Sequence, residues 1–415
     1  MRPLPNLYPH AVTGKQDDSF VGLKIRGEQI HLYYPETYRP EVGAPAFRQN
    51  VIDLLRTVSI AKSAAKGAER VGQAADTAGD PAFASCLWVI RDHLANGFYE
   101  KREKVYWADR RGRVDWKRTM QATPMVSGGH FIYPRLITEG RASCEHILAA
   151  LHRYCVKKSI DLIGWLFGLS SARIAAEPMT PSLKRRYMAA LQQERAATFD
   201  DEKRLRLYHL QNILQGLDTG KDDEELVWGV DSYHYVFERM VDSLFGNVKD
   251  LRRFAPRAVW RLLKNGYHET PGTALRPDTV LLRGQDAFVL DAKFYRFGYT
   301  GEESDLPGTT SVQKQITYGD FIKKNAPVPV ENIYNAFILP YDRTRGPFAS
   351  AAALQYIGFA GATWRGDREK HELVHAFLID LTYLIKNWNR RCHTKEVDDL
   401  IRELAARGEE AARLR

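Results

Sequence analysis

Asp291 and Lys293 stand two residues apart in the run Ala287-Phe288-Val289-Leu290-Asp291-Ala292-Lys293, and Asp278 ends the upstream segment Arg276-Pro277-Asp278. Two carboxylates and an ammonium are the groups that phosphodiester hydrolysis calls for. Carboxylate oxygens suit Mg²⁺, which keeps several of its waters and polarises a phosphoryl oxygen. An ammonium beside them can orient the attacking water and offset the charge that builds on the phosphate. A D-x-K pair on a half-exposed strand, with Asp278 capping a turn, would need no catalytic explanation. Here Phe288, Val289, Leu290 and Ala292 make the strand apolar enough to be buried, where charges are costly unless they are paired or functional.

The elements that must position these groups are legible around them. Thr279-Val280-Leu281-Leu282, the turn Arg283-Gly284-Gln285-Asp286 and the returning run from Ala287 read as a hairpin. Strand side chains alternate faces, so Asp291 and Lys293 share one side, Ala292 takes the other, and Asp278 sits at the mouth of the neighbouring strand. Upstream, Ser232 to Phe245 reads as a long helix. Downstream come a helix near Val312 to Lys324 and strands near Ile333 to Leu339, Tyr356 to Ala360 and Leu373 to Asp380. The predicted class is α/β (α+β overall), with a mixed sheet flanked by helices.

The rest of the chain divides by composition. Phe20 to Ile25 and Ile30 to Tyr34 read as two strands around a Gly27-Glu28 turn, and Val51, Leu54, Leu55 and Val58 recur at helical spacing. Ala61 to Ala82 lacks large side chains and reads as a connection or a frayed helix. From Cys86 to Leu136 aromatic and basic residues alternate, and Glu145 to Leu217 is helical in pattern. The expected regions are therefore 1–140, for recognition or partner docking, a helical stretch 141–225, and 226–415, which carries the site. Against 51 acidic residues stand 60 basic ones, a formal charge of +9 that suits a polyanionic partner. The four cysteines have no zinc or redox spacing and read as reduced thiols. No apolar run reaches the roughly 20 residues of a membrane span, and Pro3, Pro5 and Pro9 stand where a signal peptide would need an apolar stretch. A soluble cytoplasmic protein is the expectation.

Several segments together resemble the LlaJI-type restriction endonucleases, which are related to the McrC nuclease subunit and to the PD-(D/E)XK superfamily. They are Trp116-Lys117-Arg118-Thr119 with Ile132-Tyr133-Pro134, Tyr235-Val236-Phe237-Glu238-Arg239-Met240, Arg276-Pro277-Asp278, Leu290-Asp291-Ala292-Lys293-Phe294-Tyr295 and Lys314-Gln315-Ile316-Thr317-Tyr318-Gly319. The resemblance covers most of the chain. It implies a Mg²⁺-dependent deoxyribonuclease acting against foreign double-stranded DNA, with Glu238, Asp278, Asp291 and the backbone carbonyl of Ala292 as metal ligands and Lys293 as the catalytic cation. Glu238 lies at the edge of the apolar stripe of Phe237, Met240, Val241, Leu244 and Phe245. Without the downstream motif it would be read as a solvated glutamate paired with Arg239 or Lys249. Gln315 and Tyr318 resemble the Q/K-x-x-x-Y element found near the scissile phosphate. Gln315 precedes Tyr318 by three residues and Lys314 by four, which leaves open which of the two takes the part. The McrC relationship further implies a separate AAA+ GTPase motor, McrB-like, in an oligomeric assembly.

Competing patterns fail on physical grounds. His371-Glu372-Leu373-Val374-His375 matches the zincin H-E-x-x-H, which needs a helix, but Leu373 to Ile379 has the composition of a strand. On a strand the two histidines would stand about 13 Å apart. Gly216 to Lys221 is one residue short of a P-loop, and no G-x-S-x-G elbow occurs. For holding DNA, the candidates are Arg110, Arg111, Arg113, Lys117 and Arg118, set among Tyr106, Trp107 and Trp116, together with Lys314. A motor-docking surface is the other reading of that basic stretch. An assembly or DNA-binding subunit that retains the fold without cutting is the alternative for the whole chain.

Overall fold

Val21, Leu23 and Ile25, and likewise Ile30, Leu32 and Tyr34, are buried at alternate positions, the period-two signature of strands with a face on a core. The computed structural model describes residues 6–413 apart from 15–17, 28, 41–42, 44–45, 68–80, 109–111, 122, 145, 217–224, 264–265, 366–368 and 391–394. Strand β1 (Asn6–Val12) precedes β2 (Val21–Arg26) and β3 (Gln29–Pro35). β2 and β3 are the two strands expected around Gly27. β1 was not read from the sequence; it pairs in parallel with β3 at the edge of the sheet, the position where a proline such as Pro9 is tolerated in a strand. Helix α1 (Phe47–Gly67) buries Val51, Leu54 and Val58 as expected. Gly22 lies against Trp228 on the neighbouring strand. Its φ is +152°, and an added Cβ would meet the Trp228 carbonyl oxygen at 2.1 Å. Gly22→Ala should therefore cost about 1–3 kcal/mol, the range for overpacking. A thermal melt superimposing on that of the wild type would refute this close approach.

The next stretch runs α2 (Pro81–Asn96), β4 (Lys101–Ala108), β5 (Arg113–Val114), α3 (Trp116–Thr119), β6 (Met125–Ser127), β7 (His130–Ile132), β8 (Ile137–Cys144), α4 (Ile147–Ile163), α5 (Pro181–Ala197) and α6 (Asp201–Gly216). The start of the aromatic and basic stretch carries no helical signal of its own, yet α2 runs into it and buries Val89 and Ile90 there. Asp92 on α2 and Arg206 on α6 form a two-point ion pair of 2.7 and 3.0 Å. β4, β8 and β5 make a small sheet in that order, and β6 with β7 makes a separate ribbon.

The remainder runs β9 (Glu225–Val230), α7 (Tyr233–Phe245), β10 (Arg257–Leu263), β11 (Tyr267–Ala274), β12 (Thr279–Arg283), β13 (Asp286–Ala292), α8 (Phe297–Thr300), α9 (Thr309–Asn325), β14 (Asn332–Tyr341), β15 (Leu354–Ala360), β16 (Val374–Asp380), α10 (Leu381–Asn387) and α11 (Lys395–Arg413). A five-stranded mixed sheet has the order β12-β13-β14-β16-β15, antiparallel at both edges and parallel in the middle. β13 is buried on both faces, which explains its unbroken apolar run. Val289 packs with Tyr318 and Ile322 of α9, while Phe288, on the opposite face, stacks on Tyr334.

The described residues form two compact units, one mainly from residues 80–226 with 25–28, the other from 6–24, 29–79 and 227–415. The segments grouped by composition as 1–140 are thus shared between them. Among the described residues no helix is long and apolar enough to cross a membrane.

Candidate active site

The β12–β13 hairpin pairs Thr279 with Leu290 and Arg283 with Asp286, which brings the residue before β12 beside the end of β13. Asp278 is fixed there by its Oδ2, which accepts the backbone N–H of Ala292 at 3.1 Å. The N–H of Lys293 donates to the carbonyl of Ile338 at 2.9 Å and prolongs the strand pairing past β13. With the backbone held extended, the two side chains that share a face meet: Lys293 Nζ lies 2.6 Å from Asp291 Oδ2. Asp291 is only 8% exposed.

Electrostatics show that these groups act on one another. Burial, then the charges of Asp291 and Glu238, push the Asp278 carboxyl up to about 9. Burial works against the Lys293 ammonium, but Asp291 beside it outweighs that and holds the group above its ordinary value. Two adjoining carboxylates of which one resists ionising form a site short of positive charge. Among the described residues no three His, Cys, Asp or Glu side chains come together as a complete metal cluster. Mg²⁺ asks for less, since one or two carboxylates and retained waters suffice. Asp278 and Asp291 fit that requirement, while Glu238 is felt through its charge.

The other sequence candidates separate. Tyr318 is buried in the core, and its hydroxyl donates to the carbonyl of Arg276 at 3.0 Å, so it braces the chain that enters Asp278. Gln315 is fully buried, and neither atom of its side-chain amide has a hydrogen-bond partner among the described residues. Lys314 is exposed, so of the two alternatives only Gln315 shares the inward face with Tyr318. Arg113, Lys117 and Arg118 are exposed, with Arg118 stacked 3.6 Å above the Tyr106 ring, whereas Arg110 and Arg111 lie outside the described residues.

A cleft of about 520 Å³ is lined by Glu238, Ala292 and Lys293 and also by His234, Tyr295 and Arg296, which the sequence reading did not single out. His234 stands one helical turn before Glu238, a spacing that could have flagged it, and burial favours its neutral ring. Arg296 is held by Glu36 in a two-point pair of 2.5 and 3.0 Å. No local pattern joins residues so far apart in the chain.

The H-E-x-x-H segment is structural. His371 lies in a 3-10 turn, Lys370–Glu372, with its Nε2 3.0 Å from Asp320, and His375 lies on β16. His375 is fully buried, its Nε2 has no partner among the described residues, and burial pushes its pKa down to about 4. A histidine with a depressed folded pKa takes up protons on unfolding, so its penalty is absent above the unfolded value near 6.5 and complete below about 4. His375→Leu should therefore reduce the loss of stability between pH 6.5 and 4. Denaturant melts at both pH values check this, and an unchanged acid sensitivity would count against it.

A relative from Bacillus subtilis (strain 168), the Type II restriction enzyme BsuMI component YdjA, is 22% identical over 273 residues, covering 61% of this chain and 56% of its own length. The chain thus spans about half the length of that relative. A solved assembly of Thermococcus gammatolerans McrB AAA+ hexamers with bound McrC is similar at a TM-score of 0.35 and 12% identity, over 92% of this chain and 83% of that one. The family model described as LlaJI restriction endonuclease matches residues 29–365, most of the chain and every residue gathered around Asp278 and Asp291. The chain belongs to the LlaJI restriction endonuclease family.

Proposed function

We propose that this protein is a Mg²⁺-dependent endonuclease that hydrolyses the backbone of double-stranded DNA within a restriction system. The observation that carries the reading is the convergence of Asp278, Asp291 and Lys293 at the end of one buried hairpin. Asp278, Asp291, the Ala292 carbonyl and Glu238, which lines the same cleft and acts on Asp278 through its charge, would hold Mg²⁺. Bound there, Mg²⁺ supplies Lewis-acid polarisation of the scissile phosphate. Lys293 orients the attacking water and donates to the phosphate oxygen on which charge accumulates. Tyr318 keeps Asp278 in register by gripping Arg276. The basic residues Arg110, Arg111, Arg113, Lys117 and Arg118, with Lys314, supply phosphate contacts that give affinity without sequence choice.

The B. subtilis relative is named as one component of a restriction enzyme. In keeping with that, and with the resemblance to McrC, the nuclease works with an AAA+ GTPase subunit and acts in the cytoplasm against foreign DNA. The test is cleavage of a mixed plasmid library by wild type and Asp291→Ala, in Mg²⁺ or EDTA, with and without a co-purified motor and GTP. Metal-dependent cutting lost in the variant is the expected result. Equal cutting by both proteins would overturn the site, and duplex binding with no cutting under any condition would favour a non-catalytic subunit.

A further inference from the structure

β10 and β11 form an antiparallel ribbon whose described side chains are nearly all exposed. Leu263 is 76% exposed, Tyr267 75%, Trp260 62% and Val259 55%. Neither strand contains a buried residue. At about 3.3 Å per residue, a strand of this length reaches roughly 23 Å. Apolar side chains gathered in water at this density mark a binding surface.

The charge of the segment says what it binds. Between residues 250 and 276 stand Arg252, Arg253, Arg257, Arg261, Lys264 and Arg276, and the only acids are Asp250 and Glu269. Two copies meeting through such ribbons would face like charge with like. A duplex takes up both features. Its major groove admits a two-stranded ribbon, and minor-groove proteins wedge apolar side chains between base steps while cations contact phosphates. The ribbon is also placed for that task, because β11 ends at Ala274, just before Asp278 at the site.

We propose that the β10–β11 ribbon enters a groove of the duplex beside the scissile phosphate, with the cross-strand pair Leu263 and Tyr267 against the bases, Arg257 and Arg261 on the backbone, and Trp260, on the opposite face, against the groove wall. Arg261 now pairs with Glu269 at 2.9 Å, but both side chains are more than 60% exposed, and such surface pairs exchange readily for a phosphate. The inference rests on the reading that this site cuts DNA.

The test is binding of a short fluorescent duplex by the full chain in EDTA, across a salt series. Arg257→Ser with Arg261→Ser should lower the slope of log affinity against log salt by about 2, at about 0.9 per lost phosphate contact. Trp260→Ala with Leu263→Ser should weaken binding about tenfold or more with the slope kept. None of these side chains is buried, so both variants should fold, which their thermal melts will verify. Wild-type affinity and slope in both, or no duplex binding by the wild type, would overturn the proposal. So would a wild-type dimer that the Trp260 and Leu263 changes dissociate without altering DNA binding, which would assign the ribbon to a second copy. Cutting that is lost in Asp291→Ala while the ribbon variants bind normally would remove the ribbon and leave the nuclease. Ribbon-dependent binding with no cutting in any metal would do the reverse.

Discussion

Lys293→Ala should lower the rate of DNA cleavage by about 10²–10³-fold, the usual cost of removing one preorganised donor, without weakening the response to Mg²⁺. The two halves of this expectation have different origins. In the proposed mechanism the rate should fall because the ammonium would be the protein's own positive charge beside the phosphate. The metal response survives because Lys293 Nζ, 2.6 Å from Asp291 Oδ2, competes with a cation for that carboxylate. Removing Lys293 leaves Asp291 more available, so the Mg²⁺ concentration for half-maximal rate should stay the same or fall. Asp291→Ala, by contrast, should abolish cutting at every Mg²⁺ concentration. Single-turnover rates over a Mg²⁺ titration separate the two. A Lys293→Ala enzyme restored to full rate by excess Mg²⁺ would show that the lysine merely helps to seat the metal.

The part of this site that could be read from sequence is the part encoded locally. Asp291 and Lys293 were legible because period-two alternation fixes which side chains share a face, and the apolar Phe288 to Leu290 announced that the strand is buried. Asp278 followed from the Gly284 turn, whose geometry sets the register of the hairpin. Glu238 was visible only as the charged edge of an amphipathic helix, and the resemblance gave it a role. The pairing of Arg296 with Glu36 and the placing of residues 29–79 with the C-terminal unit depend on contacts between distant parts of the chain, which no local window contains. The β10–β11 ribbon is a different kind of omission. Asn265-Gly266 is a strong hairpin signal, but the flanking Arg261-Leu262-Leu263-Lys264 lacks the alternation of a half-buried strand, because neither face of this ribbon is buried. A helix such as α7, with Val236, Phe237, Met240, Val241 and Leu244 all buried, is legible for the opposite reason: the core it covers has stamped its period on the sequence.

Asp278→Asn should abolish cleavage and, in the metal-free protein, raise stability. The carboxyl of Asp278 is pushed up to about 9, by burial first and then by the charges of Asp291 and Glu238, so ionising it in the folded state is unfavourable. With a folded pKa above the unfolded one, the folded protein holds the proton more tightly, and its stability falls as pH rises from about 4 towards 9. An asparagine cannot ionise and escapes that loss. The variant should match the wild type near pH 4, gain on it through neutral pH and keep a constant lead above about 9. Each 1 kcal/mol gained would move the melting temperature by about 2–4 °C for a unit of this size. Mg²⁺ should have the opposite effect on the two proteins' difference. In the wild type, binding of a cation by Asp278 and Asp291 would require Asp278 to give up its proton and would relieve the repulsion, so the melting temperature should rise with Mg²⁺. In Asp278→Asn, with one carboxylate gone, the Mg²⁺ response should be largely lost. Melts at several pH values with EDTA or Mg²⁺ therefore test the site without any DNA. Asparagine Oδ1 can still accept the Ala292 N–H, so a variant less stable than the wild type at pH 8 in EDTA would show that the repulsion among the carboxylates is not the dominant force at this position.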